Sequence, residues 1–182
     1  FGGKTDWLTL VETLGKSEHE IAGHMPNYDM VMGRHILHII GDYPVAPCPG
    51  GLELIERLRQ RDDVVLGLVT GNVQRGAGVK LAAAGYDPAD FVVGAYGNER
   101  MQRDHLPELA VARAEELTGH RFAPRDVWVI GDTAADASCA RVINATMVGV
   151  KTGYGPSPQE IAACNPDYLL NDLTEFWEVV RL

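Results

Sequence analysis

The chain has 182 residues, of which 46% are hydrophobic and 23% are charged. This length and hydrophobic content allow one domain of ordinary size with a packed core, which excludes a disordered protein. Acidic residues outnumber basic residues 25 to 16, and the formal net charge is -9. Such an acidic balance argues against nucleic acid or an anionic membrane surface as a partner.

The three cysteines, Cys48, Cys139 and Cys164, are isolated and odd in number. This pattern favours reduced thiols, and therefore a cytoplasmic protein, over a disulfide framework. No apolar run is as long as a membrane span, and no signal peptide is recognisable. We therefore predict no membrane association.

The first part of the chain, residues 5–41, has a helical pattern. Apolar residues recur at helical spacing in its first segment: Trp7, Leu8, Leu10, Val11 and Leu14. Ser17 and Glu20 have the spacing of a capping box, which predicts the start of a second helix. No strand pattern interrupts this part, and we predict a small all-helical unit over residues 1–45.

Segment 43–51 contains three prolines and two glycines and separates the helical unit from the rest. Beyond it, strand patterns alternate with helical patterns, which predicts an α/β core with a parallel sheet over residues 46–182. The predicted strands are 64–69, 91–94, 126–131, 146–150 and 167–170. The predicted helices are 50–61, 73–84, 104–118, 134–143, 157–163 and 172–181.

Strand 126–131 runs into Asp132, and a helical pattern follows from Ala134. Ligands bind at the carboxyl edge of an open α/β sheet, where Asp132 and Asp136 stand one helical turn apart. Two carboxylates aimed at one point suit a hard cation such as Mg2+. The alternative is that both acids only stabilise the start of the helix.

Strand 64–69 has the same design, because it runs directly into Thr70-Gly71-Asn72 and a helix follows. A hydroxyl at the strand tip, a glycine and free backbone N–H groups at a helix start form a phosphate site. The alternative is a turn that merely caps the helix.

These two turns, in this order, resemble the second and fourth sequence motifs of the haloacid dehalogenase (HAD) superfamily. Segments 47–52, 80–86 and 152–154 resemble other parts of that family. The resemblance covers the chain almost without interruption and is greatest to the phosphoglycolate-phosphatase-like branch. It implies a Rossmann-like parallel sheet with a small helical cap, of which residues 5–41 would form the larger part.

The resemblance also implies roles for individual residues. Thr70 would donate a hydrogen bond to a phosphoryl oxygen, with help from the backbone N–H groups of Gly71 and Asn72. Asp132 would bind Mg2+ directly, and Asp136 would bind it directly, through water or through a hydrogen bond.

The third motif of the family requires a cation. Arg103 occupies the matching place, just before helix 104–118, and Arg100 competes for this role. The alternative for Arg103 is a surface ion pair.

Together these residues predict a Mg2+-dependent phosphatase that hydrolyses a small phosphorylated metabolite through an aspartyl-phosphate. Phosphoryl transfer depends on positioning and on stabilising the charge of the equatorial oxygens, and this set of residues supplies both. The family's first motif, which carries the nucleophilic aspartate, does not occur in the sequence, and we expect it upstream of Phe1. The alternatives are a non-catalytic binding protein that has lost the nucleophile, and a HAD phosphomutase or dehalogenase.

In the family fold, the strand that carries the first motif lies between strands 64–69 and 126–131. Without it both strands keep an unpaired edge, and each lost backbone hydrogen bond is worth about 0.5–1.5 kcal/mol. We therefore expect a gap at this place in the sheet, which an N-terminal piece or another segment fills in the working protein.

Overall fold

A computed structural model of the protein describes residues 3–153 and 158–180. Helices alone form the first part, and strands and helices alternate after it, as predicted. The helices are α1 (Asp6–Leu14), α2 (Glu18–Ala22), α3 (Met25–Ile39), α4 (Gly51–Leu58), α5 (Gln74–Ala83), α6 (Leu106–Thr118), α7 (Ala134–Val142), α8 (Pro158–Ala163) and α9 (Phe176–Val179). The strands are β1 (Gly67–Thr70), β2 (Val93–Tyr96), β3 (Trp128–Gly131), β4 (Thr146–Val150) and β5 (Tyr168–Leu170).

Side-chain hydrogen bonds cap the starts of the first two helices. Thr5 Oγ1 accepts a hydrogen bond from Leu8 N at the start of α1, and Gly15 ends this helix with a φ of 62°. Ser17 and Glu20 form the predicted capping box of α2. Apolar side chains of α1, α2 and α3 pack around Val73, just before α5, so the helical part rests on that helix.

The five strands in the described part of the chain form two separate sheets, and every pairing within each sheet is parallel. One sheet has the order β1-β2 and the other β3-β4-β5. The predicted α/β class with parallel strands is confirmed. Among the described residues, no strand pairs with the second edge of β1 or of β3, which is where the gap is expected.

Burial differs sharply between the edge strand β3 and its neighbour β4. Met147, Val148 and Val150 of β4 are at most 5% exposed, whereas Ile130 of β3 is 38% exposed. A strand in the middle of a parallel sheet is covered on both faces. The exposure of Ile130 therefore agrees with the position of β3 at the edge of its sheet.

The largest apolar cluster packs the sheet β3-β4-β5 against α4 and α9. Its buried members come from α4, β4, β5 and the region of α9: Leu54, Leu58, Val148, Leu170, Phe176 and Val180. Trp128 of β3 stacks on Tyr168 of β5 with ring centroids 5.7 Å apart. This packing fixes β3, and with it the turn that follows, relative to the rest of the second sheet.

Several elements are shorter than predicted, among them β1, β3, α4 and the last helix, and β2 is shifted from 91–94 to Val93–Tyr96. β1 begins at Gly67 because Val64 and Leu66 pack against the apolar cluster without a ladder partner for their backbone. The predicted helix 172–181 splits because Asp172 caps Thr174 N and starts a short 3-10 turn. Only α9 follows it, and residues 181–182 lie outside the described part of the chain.

An ion pair joins the turn after β2 to α6. Arg113 Nη2 lies 2.6 Å from Glu99 Oε1, and its Nη1 lies 2.9 Å from Oε2. Burial is the largest influence on the pKa of Glu99 and raises it. Hydrogen bonds from Arg113 and from Tyr96 N, together with the charges of Arg113 and Arg100, outweigh burial, so the pKa of Glu99 lies below its ordinary value.

We expect Glu99→Gln to flatten the acid dependence of stability. Because the folded-state pKa is below that of the unfolded chain, the contribution of Glu99 is present above the unfolded-state pKa and is lost as the pH falls through the folded-state pKa. Thermal unfolding between pH 7 and pH 3 measures this loss. The exposed Glu116→Gln on α6 is the control, and equal pH profiles for wild type and Glu99→Gln would contradict the assignment.

Candidate active site

The two predicted turns lie at the carboxyl ends of β1 and β3, and residues 3–6 contact both. A Cβ added to Gly3 would lie 2.9 Å from Ala135 Cβ, in the first turn of α7. Asp6 N donates to Gly71 O at 2.7 Å. Because three Cα–Cα steps span at most about 11 Å, both turns are close enough to act on one small ligand.

The Asp132 turn is built around the carboxylate of Asp136. Asp136 Oδ2 accepts hydrogen bonds from Asp132 N at 3.1 Å, Thr133 N at 3.0 Å and Thr133 Oγ1 at 2.8 Å. Thr133 Oγ1 in turn accepts from Asp136 N, which completes a capping box for α7. Asp136 therefore acts at the helix start, as the alternative interpretation expects, and it fixes the backbone of Asp132.

Arg103 brings a buried positive charge to this turn. Its Nη2 donates to Asp136 Oδ1 at 2.5 Å, and the side chains of Arg103 and Asp136 are only 19% and 13% exposed. Arg103 Nε is buried and has no hydrogen-bond acceptor in the described part of the chain. Arg100, by contrast, is exposed and donates to the carbonyl of its neighbour Glu99. The pairing with Asp136 distinguishes Arg103 from an exposed surface ion pair.

In the Thr70 turn, Asn72 donates two hydrogen bonds to the hydroxyl of Thr70. Thr70 Oγ1 accepts hydrogen bonds from Asn72 N at 3.2 Å and from Asn72 Nδ2 at 2.9 Å. Gly71 is buried against residues 4–5, and a Cβ at this position would overlap Lys4 O. The structure thus directs the Asn72 N–H at Thr70, and not outward as predicted.

The loop after β4 closes on Asp132. A Cβ added to Gly153 would overlap the Asp132 carboxylate, so only glycine allows this approach. Cys48 Sγ donates to Thr152 O at 3.7 Å. Burial and, to a lesser extent, the nearby charge of Asp132 raise the pKa of the Cys48 thiol. The third residue of the predicted segment 152–154, Tyr154, lies outside the described residues.

The carboxylates of the candidate site could supply only part of the coordination shell of Mg2+. Among the described residues, no three or more His, Cys, Asp or Glu side chains are grouped so as to hold an ion. Mg2+ usually takes one or two protein carboxylates and completes its shell with water and substrate phosphate. Asp132, at the tip of β3, is the candidate for that role. The Asp136 oxygens accept four hydrogen bonds or ion-pair contacts, which hold the turn and Arg103.

Three further residues at this edge, Thr5, Asp6 and Lys80, were not predicted from the sequence. Thr5 is fully buried, and its Oγ1 donates to Met101 O at 2.5 Å, two residues before Arg103. Asp6 Oδ2 accepts from Val73 N at 2.8 Å, and Lys80 Nζ donates to Asn72 Oδ1 at 2.5 Å. Thr5 has the sequence signal of a helix N-cap. The contact of Asp6 joins segments 67 residues apart, whereas that of Lys80 connects α5 with the turn directly before it.

The geometry defines an α/β protein whose candidate site lies at the carboxyl edge of parallel strands. Residues 98–176 match the HAD-hydrolase-like family, and this segment includes Arg103, Asp132 and Asp136. This match, over fewer than half of the residues, agrees with the predicted resemblance to the HAD superfamily.

Solved structures share the fold. The structure of CbbY from Rhodobacter sphaeroides in complex with phosphate matches with a TM-score of 0.65 and 17% identity, over 79% of this chain and 62% of that one. The structure of a predicted phosphoglycolate phosphatase from Haemophilus somnus matches with a TM-score of 0.59 and 22% identity, over 71% of this chain and 55% of that one. The structure of a haloacid dehalogenase-like hydrolase from Streptococcus pneumoniae matches with a TM-score of 0.55 and 19% identity, over 71% of this chain and 58% of that one. The chain therefore spans less than two thirds of these structures.

No curated protein matches the sequence significantly. Within residues 3–153 and 158–180, every helix is too short or too polar to cross a lipid bilayer.

Proposed function

We propose that the protein is a Mg2+-dependent phosphatase that hydrolyses a small phosphomonoester through an aspartyl-phosphate. The observation that carries this proposal is the Arg103 guanidinium, which is tied to the Asp132 turn and keeps a buried Nε without an acceptor in the described residues. A buried N–H without a partner costs about 1–3 kcal/mol. A phosphoryl or carboxylate oxygen at this edge would accept that hydrogen bond.

The chain's own residues would bind and orient the phosphoryl group from two sides. The Thr70 hydroxyl would donate to one equatorial oxygen, with the Gly71 N–H beside it. Arg103 would balance the negative charge that collects on the nucleophile and the phosphoryl group. Asp136 would hold both Arg103 and the Asp132 backbone in place.

Asp132 would supply the protein carboxylate for Mg2+. When bound, the ion would neutralise charge on the phosphoryl oxygens. Asp136 would support the metal site indirectly, by accepting the hydrogen bond from Asp132 N. It would not be a direct ligand, because its oxygens already accept hydrogen bonds from Arg103 and from the turn.

The nucleophilic aspartate would come from a strand between β1 and β3. The separation into two sheets and the 38% exposure of Ile130 support a strand there. Its carboxylate would attack phosphorus as the alcohol leaves, and water would then hydrolyse the aspartyl-phosphate.

The matched structures support the substrate class. One was solved in complex with phosphate, and another is described as a predicted phosphoglycolate phosphatase. At sequence identities of 17% and 22%, these structures support the fold but do not identify a particular substrate. A small phosphorylated metabolite is therefore the class that we propose.

The test is release of orthophosphate from a panel of small phosphomonoesters, with p-nitrophenyl phosphate as the general substrate. The protein is taken from its native source, and its intact mass is compared with the 19.8 kDa of the present sequence. We expect release with Mg2+ and none with excess EDTA. Binding of orthophosphate without any release would instead identify a binding protein, and the absence of both would overturn the proposal.

A further inference from the structure

The side chain of Lys80 extends from α5 back to the Thr70 turn. Its Nζ donates to Asn72 Oδ1 at 2.5 Å. An ammonium group has three donors and no acceptor, so the amide atom that faces it must be the oxygen. The contact therefore fixes which way the Asn72 amide is turned, a choice that its shape alone leaves open.

With its oxygen held by Lys80, Asn72 presents its NH2 group to Thr70. Asn72 Nδ2 lies 2.9 Å from Thr70 Oγ1, and Asn72 N lies 3.2 Å from the same oxygen. A hydroxyl has two lone pairs and one proton. Both lone pairs of Thr70 thus accept hydrogen bonds from Asn72, and the proton must point away from Asn72.

Asp6 helps to keep Lys80 in place. Its Oδ2 accepts from Val73 N at 2.8 Å, and the charge of Lys80 is close enough to act on its carboxylate. Burial, the largest influence, raises the pKa of Asp6, while the Val73 N–H and Lys80 oppose that rise. Lys80 therefore lies between Asn72 Oδ1 and a partly buried acid on α1.

We propose that Lys80 is a positioning residue that sets the direction of the Thr70 O–H through Asn72. The hydroxyl then offers its proton to a phosphoryl oxygen and not to its own turn. This inference rests on the proposed function, because it assigns Thr70 as a donor to phosphate. The competing explanation is that Lys80 attracts phosphate directly by its charge.

A double-mutant cycle separates the two explanations. Binding of inorganic orthophosphate in the presence of Mg2+ is measured by calorimetry for wild type, Lys80→Met, Thr70→Val and the double variant. We expect Lys80→Met to weaken binding about fivefold, the worth of one hydrogen bond. In the Thr70→Val background the same change is expected to have no effect, because the hydroxyl that Lys80 orients is absent.

Two further variants complete the test. Lys80→Arg keeps a donor for Asn72 Oδ1 and should retain most of the wild-type affinity. Lys16→Met removes another lysine, 56% exposed on the helical part, and should leave binding unchanged. The side-chain amide resonances of Asn72, measured by NMR, should shift in Lys80→Met.

The outcomes distinguish this inference from the proposed function. If wild type binds orthophosphate and Lys80→Met weakens binding equally with and without the Thr70 hydroxyl, Lys80 acts by charge alone. The positioning role is then wrong, while the phosphatase proposal stands. If wild type binds no orthophosphate, the phosphatase proposal fails and the inference fails with it.

Discussion

Asp132→Asn is expected to lower Mg2+-dependent phosphatase turnover by at least about 100-fold, the usual cost of losing a main electrostatic group in an active site. The amide keeps the size of the side chain but loses the charge that would hold Mg2+. Turnover of p-nitrophenyl phosphate over a range of Mg2+ concentrations measures the effect.

Asp62→Asn is the matched control, because Asp62 is exposed in the turn after α4. This variant should keep wild-type turnover and wild-type Mg2+ dependence. A thermal unfolding curve for each variant verifies that the chain is folded. Unchanged turnover in Asp132→Asn would show that the metal assignment is wrong.

Arg103→Met is expected to impair both activity and stability. Losing the guanidinium should reduce turnover by about 100-fold or more, because no other described cation is bound to the Asp132 turn. It also leaves Asp136 buried without its positive partner, and breaking such a pair costs about 3 kcal/mol. Urea unfolding measures this cost as a lower midpoint at an unchanged slope.

Arg100→Met provides the comparison for Arg103, because Arg100 is exposed and bonds only to the neighbouring Glu99 carbonyl among the contacts described. Its stability should remain within about 0.5 kcal/mol of wild type. If Arg100→Met lost activity and Arg103→Met did not, the two arginines would have to exchange roles.

Local sequence patterns predicted most of the secondary structure. β4 has the predicted bounds, 146–150, and the Ser17–Glu20 capping box forms as expected. The errors lie at element ends, where tertiary contacts decide. The apolar residues Val64 and Leu66 were predicted to be part of a strand. In the structure they pack against the apolar cluster but lie outside β1, which begins at Gly67.

The candidate site was predictable only in part. The positions of Thr70 and Asp132 followed from the strand-to-turn pattern, because parallel strands end at a common edge. The contacts of Asn72 with Lys80 and of Asp6 with Val73 did not follow. The contact of Asp6 depends on how α1 is placed against the start of α5, and the contact of Lys80 depends on its side-chain rotamer, and spacing along one element determines neither. The two functions of Asp136, helix cap and partner of Arg103, are also combined only by the fold.

The interrupted sheet has a consequence for the behaviour of the chain in solution. Edge strands with exposed backbone groups act as templates for pairing with another chain, and apolar β-branched segments are prone to aggregate. β3 combines an outer edge with the apolar run Trp128-Val129-Ile130. The net charge of -9 opposes contact between copies. Salt screens that repulsion, so wherever no strand covers this edge we expect high ionic strength to promote self-association through β3.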